Sequence, residues 1–246
     1  MRLPPALALA ALMLVPHPAA AQGAALVAEA EAGDASAQFE LALALDEAGE
    51  DAEAIEWYEA AARQGVRDAA FNLALMYDEG EGTEVDDEAA RRWYAVAAEA
   101  GDADAMFNLA LMHDTGEGGE VDDAEAIRLY GEAAALDHAA ALYNLALMHD
   151  EGEGTEVDDA LAVELYERAA RLGDTDAQHN LGHMHWGGEG VPVDLGKAWA
   201  WISLAGERGN RLASENLGIL RGQIPTAARR DGERRLRLLR SEIAQE

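Results

Sequence analysis

Small and apolar residues fall in two alternating stripes along the chain. The first stripe runs Ala70, Leu73, Ala74 and Tyr77, returning as Met106, Leu109, Ala110 and His113 and as Leu142, Leu145, Ala146 and His149. The second runs Ala54, Trp57, Tyr58 and Ala61. It recurs at Ala90, Trp93, Tyr94 and Ala97, at Ala126, Leu129, Tyr130 and Ala133, at Ala162, Leu165, Tyr166 and Ala169, and at Ala198, Trp201, Ile202 and Ala205. Spacing of i, i+3, i+4 and i+7 predicts amphipathic helices. Large residues beside alanines suit two antiparallel helices whose axes approach closely, and no single pair could bury such a stripe alone. Asn72, Asn108, Asn144, Asn180 and Asn216 stand 36 residues apart. The expected fold is an all-α solenoid of stacked antiparallel helix pairs.

Gly65, Gly101, Gly173 and Gly209 follow the second helix of each pair, where a left-handed cap is favoured, and Asp137 replaces glycine in that column. Between the helices, Gly80 and Gly82 recur as Gly116 and Gly118, Gly152 and Gly154, and Gly188 and Gly190. Asp86, Asp122, Asp158 and Asp194 stand where the second helix needs an N-cap. The first unit has a loop four residues shorter, since Phe39 to Trp57 spans 18 positions and Phe71 to Trp93 spans 22. It reads as a truncated, capping repeat.

The run Asp176-Ala177-Gln178-His179-Asn180-Leu181-Gly182-His183-Met184-His185, followed by Gly188-Glu189-Gly190-Val191-Pro192-Val193-Asp194, Lys197-Ala198-Trp199 and Leu204-Ala205, resembles the Sel1-like repeat, a relative of the tetratricopeptide repeat. The resemblance covers roughly residues 24 to 223. The central units depart from it: Ala74, Ala110 and Ala146 take the usual glycine position, and Thr83, Gly119 and Thr155 replace the usual loop valine. The resemblance implies a right-handed superhelix that binds proteins or peptides as a scaffold or adaptor.

Arg2, the apolar stretch Leu3 to Val15 and Ala19-Ala20-Ala21 before Gln22 have the pattern of a cleavable signal peptide over residues 1–21. The expected mature chain is periplasmic or secreted, with the repeat array over 22–223 as about five full units and partial terminal ones. Residues 224–246 carry six arginines (Arg229, Arg230, Arg234, Arg235, Arg237 and Arg240) among Leu236, Leu238, Leu239 and Ile243, predicting a basic helix that caps the array. No later stretch reaches the ~20 apolar residues of a membrane span. Formal net charge is −30, which argues against nucleic acid and anionic membrane surfaces as partners and favours a protein or extended peptide, basic if charge selects it. Cysteine is absent, so disulfides and thiol chemistry are excluded.

Candidate chemistry is sparse. Asp78, Glu79, Glu81, Glu84, Asp86, Asp87 and Glu88, with their counterparts in the next two units, place acidic loops side by side at ~10 Å, the scale of helix packing. Calcium or salt could relieve that repulsion, so a cation-binding or salt-responsive module is the alternative to a scaffold. The EF-hand template fails, however, with Gly80 and Gly82 at ligand positions and Ala89 where a bidentate glutamate belongs. His179 and His183 replace apolar residues of earlier units and stand four residues apart, a spacing able to chelate a transition metal, yet His185 lies on another face and no third ligand is evident. Neither a metal nor a cofactor is expected. Trp186 takes the place of Asp78, Asp114 and Asp150 and is a candidate exposed anchor, whereas Trp201 belongs to the packed stripe. The asparagine column admits two readings, a structural amide at a helix junction or a clamp on a peptide backbone, as the tetratricopeptide relationship implies. No nucleophile elbow, P-loop or His-Glu-x-x-His motif is present, so a non-enzymatic function is expected.

Overall fold

The computed structural model describes residues 19–243. Among the described residues are 13 α-helices and no strand. They are α1 Ala19–Glu31, α2 Ala35–Asp46, α3 Asp51–Ala62, α4 Arg67–Glu79, α5 Asp87–Glu99, α6 Ala103–Thr115, α7 Asp123–Ala135, α8 Ala139–Glu151, α9 Asp159–Arg171, α10 Thr175–Gly187, α11 Leu195–Glu207, α12 Arg211–Gln223 and α13 Thr226–Ile243. Helix α1 begins at Ala19, so the expected cleavage after Ala21 falls in its first turn; the rest of the expected signal peptide lies outside the described residues.

The helices form two compact units, divided between Val121 and Asp122. In the first, consecutive helices from α1 through α6 pack on one another; in the second, consecutive helices from α7 through α12 do so, and α13 packs on α11. The helices start and stop where their sequence requires. Asp86 accepts from the Ala89 N–H, Asp122 from Glu125, Asp158 from Leu161 and Asp194 from Gly196 and Lys197. Each bond satisfies an orphan donor of a first turn, worth about 1 kcal/mol. Asp137 has φ of 58°, the left-handed conformation its column demands. In the truncated first unit Glu50 precedes α3 with no side-chain cap.

Both stripes are buried along their centres, with Tyr77, Trp93, His113 and His149 only part-buried. Ala54, Tyr58 and Ala61 of α3, and Ala90, Tyr94 and Ala97 of α5, are fully enclosed, as are Ala70, Leu73 and Ala74 of α4. Gly82 shows why the loop glycines recur. Its φ is +68°, and a Cβ there would lie 2.6 Å from the Asp51 backbone carbon at the start of the preceding unit's second helix. The residue is thus held small by a contact between units as well as by backbone conformation.

The fifth unit closes differently. Gly182 stands where earlier units have alanine, and a Cβ on it would lie 2.6 Å from Ile202 Cγ1 and 3.1 Å from the Ile202 nitrogen. Helix α10 therefore meets α11 backbone to backbone, and Ala198, Trp199, Ile202, Ala205, Ala213 and Leu220 form one apolar cluster. Trp201 is buried, and so is Trp199, which lies outside the stripe.

Candidate functional site

Asn72, Asn108 and Asn180 are each one end of a three-residue relay. Asn72 Nδ2 donates to the Tyr58 hydroxyl at 3.3 Å, and that hydroxyl donates to Asp46 Oδ2 at 3.0 Å. Asn180 donates to Tyr166 at 3.2 Å and Tyr166 to Asp150 at 3.4 Å. Tyr94 donates to Asp78 at 3.0 Å and takes a hydrogen bond from Asn108; Asn144 donates to Tyr130 at 3.0 Å. A phenol has one hydrogen, and the carboxylate uses it, so the asparagine must present its N–H₂ to the phenol oxygen. This fixes the amide's orientation. For Asn72 and Asn144 it leaves Oδ1 and the second amide hydrogen without a partner among the described residues.

The relay also joins units. Asp78 lies on α4, Tyr94 on α5 of the same unit and Asn108 on α6 of the next. The acidic-loop reading is therefore corrected at Asp78 and Asp150: these carboxylates sit in the last turn of a first helix and accept from a buried tyrosine. Burial, the largest cause, raises the Asp150 carboxyl above its ordinary value. Glu81, Glu84, Asp86 and Glu88 are solvent-exposed. Among the described residues no three His, Asp or Glu side chains converge as a metal site.

Burial is also the first cause that pushes the hydroxyls of Tyr58, Tyr94 and Tyr166 well above the ordinary phenol range, with Asp46, Asp78 and Asp150 adding to it. Burial raises Tyr77 and Tyr143 too. A folded-state value above the unfolded one, about 10, means stability that is complete below pH ~10 and falls as pH climbs beyond it. Phenolate absorbance near 295 nm is expected to appear together with loss of helical circular dichroism. A smooth titration centred near pH 10 with the helices intact would contradict the buried relay.

The fifth unit replaces the relay as a set. Ile202 stands in the tyrosine column and Trp186 in the aspartate column, and Trp186 packs, half-buried, against the α11 cluster. It is not a free-standing aromatic on the surface. Asn216, with no tyrosine to meet, donates instead to His179 Nε2 at 2.8 Å. That bond requires Nε2 to accept, so Nδ1 carries the proton and donates to Asn180 Oδ1 at 3.2 Å. His179 is thereby held neutral, in line with a value lowered chiefly by burial, and the Asn180 carbonyl oxygen is already engaged. His183 is exposed, edge-on to Trp186 at 6.1 Å and 3.8 Å from Glu189. His179 and His183 thus turn to different partners. The sequence reading missed the tyrosine hydroxyls as polar groups, although Tyr58, Tyr94, Tyr130 and Tyr166 recurred with the asparagines at a constant offset of 14 residues.

Stacked helix pairs stapled by a repeated side-chain relay define an α-helical repeat protein of the solenoid class. The Sel1 repeat pattern matches residues 35–66, 67–102, 103–138, 139–174 and 175–210. The chain belongs to the Sel1 repeat family. It is similar to a protective antigen present in uropathogenic Escherichia coli strains that displays an SLR fold, with 30% identity over 97% of this chain and a TM-score of 0.79; this chain spans 53% of that protein. It is also similar to a Sel1 repeat protein from Oxalobacter formigenes, with 29% identity, a TM-score of 0.73, and 79% of this chain and 82% of that one covered. No curated protein matches the chain.

Proposed function

We propose that the protein is a non-enzymatic scaffold of the cell envelope that binds extended segments of another protein on the asparagine-bearing helices of each unit. The observation that carries this reading is the relay. Asn72 and Asn144 are held in one orientation by buried tyrosines, with an acceptor and a donor still unused. A backbone amide of a bound segment needs that pair of groups, and an amide fixed in advance loses little entropy on binding. Asn108 offers the same side chain in the same column. Net charge of −30 favours basic segments and makes association faster at low salt. Export rests on the signal-peptide pattern of residues 1–21, and an N-terminus at Gln22 on the protein from the source cell would bear it out.

The test is affinity capture from the envelope fraction at low and moderate salt, using wild type, an Asn108→Ala/Asn144→Ala variant and Trp186→Ala, each checked for an intact thermal transition. The expected result is one basic protein retained by wild type and lost by the folded asparagine variant. Equal retention by both, or no selective retention at either salt, would overturn the asparagine site.

A further inference from the structure

The second unit ends in an unfinished repeat. In α12, Ala213, Asn216, Leu217 and Leu220 stand in the columns of Ala177, Asn180, Leu181 and Met184, and Asn210 caps the helix, so α12 is the first helix of a sixth pair. In α8 the face that meets its second helix is covered: Leu142 and Ala146 are fully buried and Leu145 nearly so. In α10, Gln178 and Leu181 are fully buried and Gly182 abuts Ile202. The corresponding residues of α12 are Ser214, Leu217, Gly218 and Arg221. Leu217 is half-buried, the other three are exposed, and a Cβ on Gly218 would meet no heavy atom within 4 Å.

The chain does continue into another helix, but α13 packs on α11 through Gly232, Leu236 and Leu239 and leaves that face of α12 open. A groove of about 370 Å³ results, with Trp199 and Ser203 of α11, Leu217 and Arg221 of α12 and Leu236 of α13 in its lining. An independent observation sets it apart. Ser203 is only 5% exposed, yet its hydroxyl has no hydrogen-bond partner. Serine within a helix commonly bonds the carbonyl a turn behind, and a buried hydroxyl left unpaired is costly.

We propose that this groove receives an amphipathic helix from a partner protein, completing the sixth repeat. The groove is continuous with the apolar cluster of α11 through Trp199 and Leu217, and the second helices of earlier pairs show what fits such a face: a helix with small residues at the first and eighth positions, a large apolar pair at the fourth and fifth, and a side chain able to pair with Ser203. This assignment does not depend on the asparagine column.

The probe is a peptide of residues 86–100, which carries Ala90, Trp93, Tyr94 and Ala97. A staple between positions 88 and 92, both on its exposed face, preforms the helix. Titrated into the full chain, it is expected to bind saturably at one site. Affinity should fall at least tenfold with Gly218→Gln, an exposed helical position where glutamine favours the helix, and with alanine at Trp93 and Tyr94 of the peptide. The Asn108→Ala/Asn144→Ala variant should bind it as wild type does, so the two readings fail separately. Absence of saturation, or equal affinity for Gly218→Gln, would overturn the proposal. Self-association of the chain alone, abolished by Gly218→Gln, would overturn the partner helix in favour of a second copy.

Discussion

Tyr94→Ala is expected to lower stability by about 3–5 kcal/mol, the usual cost of emptying a large buried aromatic site. Tyr94 is fully enclosed at the junction of α4, α5 and α6, so the cavity opens between two units rather than within one. Each unit of such an array is held chiefly by its neighbours. The denaturation curve should therefore become broader as well as shift to lower denaturant. Tyr94→Phe separates the hydroxyl from the ring: packing is kept, while Asp78 and Asn108 lose their shared partner. Both lie half-buried where water reaches them, so the expected cost is about 1–2 kcal/mol. Pairing Tyr94→Phe with Asp78→Ala should give less than the sum of the single effects, because the two remove one interaction. Additive effects, or a Phe variant with the wild-type midpoint, would mean that the relay is an ornament on the packing.

Gly232→Val is expected to detach α13 while leaving the remaining helices folded. A Cβ on Gly232 would lie 2.6 Å from Trp199 Cβ and 2.8 Å from the Gly196 carbonyl oxygen, both on a helix that cannot retreat. Gly196 is matched to it, since a Cβ there would lie 2.5 Å from Asp231 Oδ2. What holds α13 is the burial of Leu236 and Leu239, together roughly 3–5 kcal/mol, aided by exposed ion pairs of small worth: Arg240 with Glu207, Arg235 with Asp194 at 3.6 Å and Arg171 with Glu242 at 3.3 Å. In hydrogen exchange, amide protection should collapse over residues 226–243 and persist in α10 and α11. Trypsin should cut at the now accessible arginines. Gly222→Ala, at a position with open space around it, should change neither. Wild-type protection of α13 in Gly232→Val would show that the crossing has room to adjust.

The fold was legible because every unit repeats the same local demands. Asp86 and its counterparts cap helices as their position requires, and Asp137 adopts the left-handed conformation that its alignment with four glycines predicts. The site was legible only in part. The asparagine column announced itself by its period, but its partners lie 14 residues upstream on a neighbouring helix, and the tyrosines already had a sufficient explanation as packed rings. Asp78 read as one more acid beside a glycine-rich loop, because nothing in its immediate neighbourhood distinguishes a carboxylate under a phenol from one in water. Trp186 read as an orphan for the complementary reason. Its counterpart Ile202 was visible in the tyrosine column, but only the contact between α10 and α11 reveals that aspartate and tyrosine were exchanged together for an apolar pair. Gly232, inside an otherwise regular basic helix, gave no signal of the crossing it permits.

The relay has one sense: asparagine gives to tyrosine, and tyrosine gives to aspartate. Hydrolytic ageing reverses the first gift. Loss of ammonia from Asn108 would turn a donor into a second carboxylate facing Tyr94, whose single hydrogen is already committed to Asp78. One of the two acids would then confront a lone pair or have to take up a proton, and a negative charge would be added to a chain already at −30. A mass gain of about one dalton, the usual mark of harmless wear at a surface asparagine, would in this column sever a link between consecutive repeats. How long the array keeps such links would then depend on how well its helices shield those amides from water.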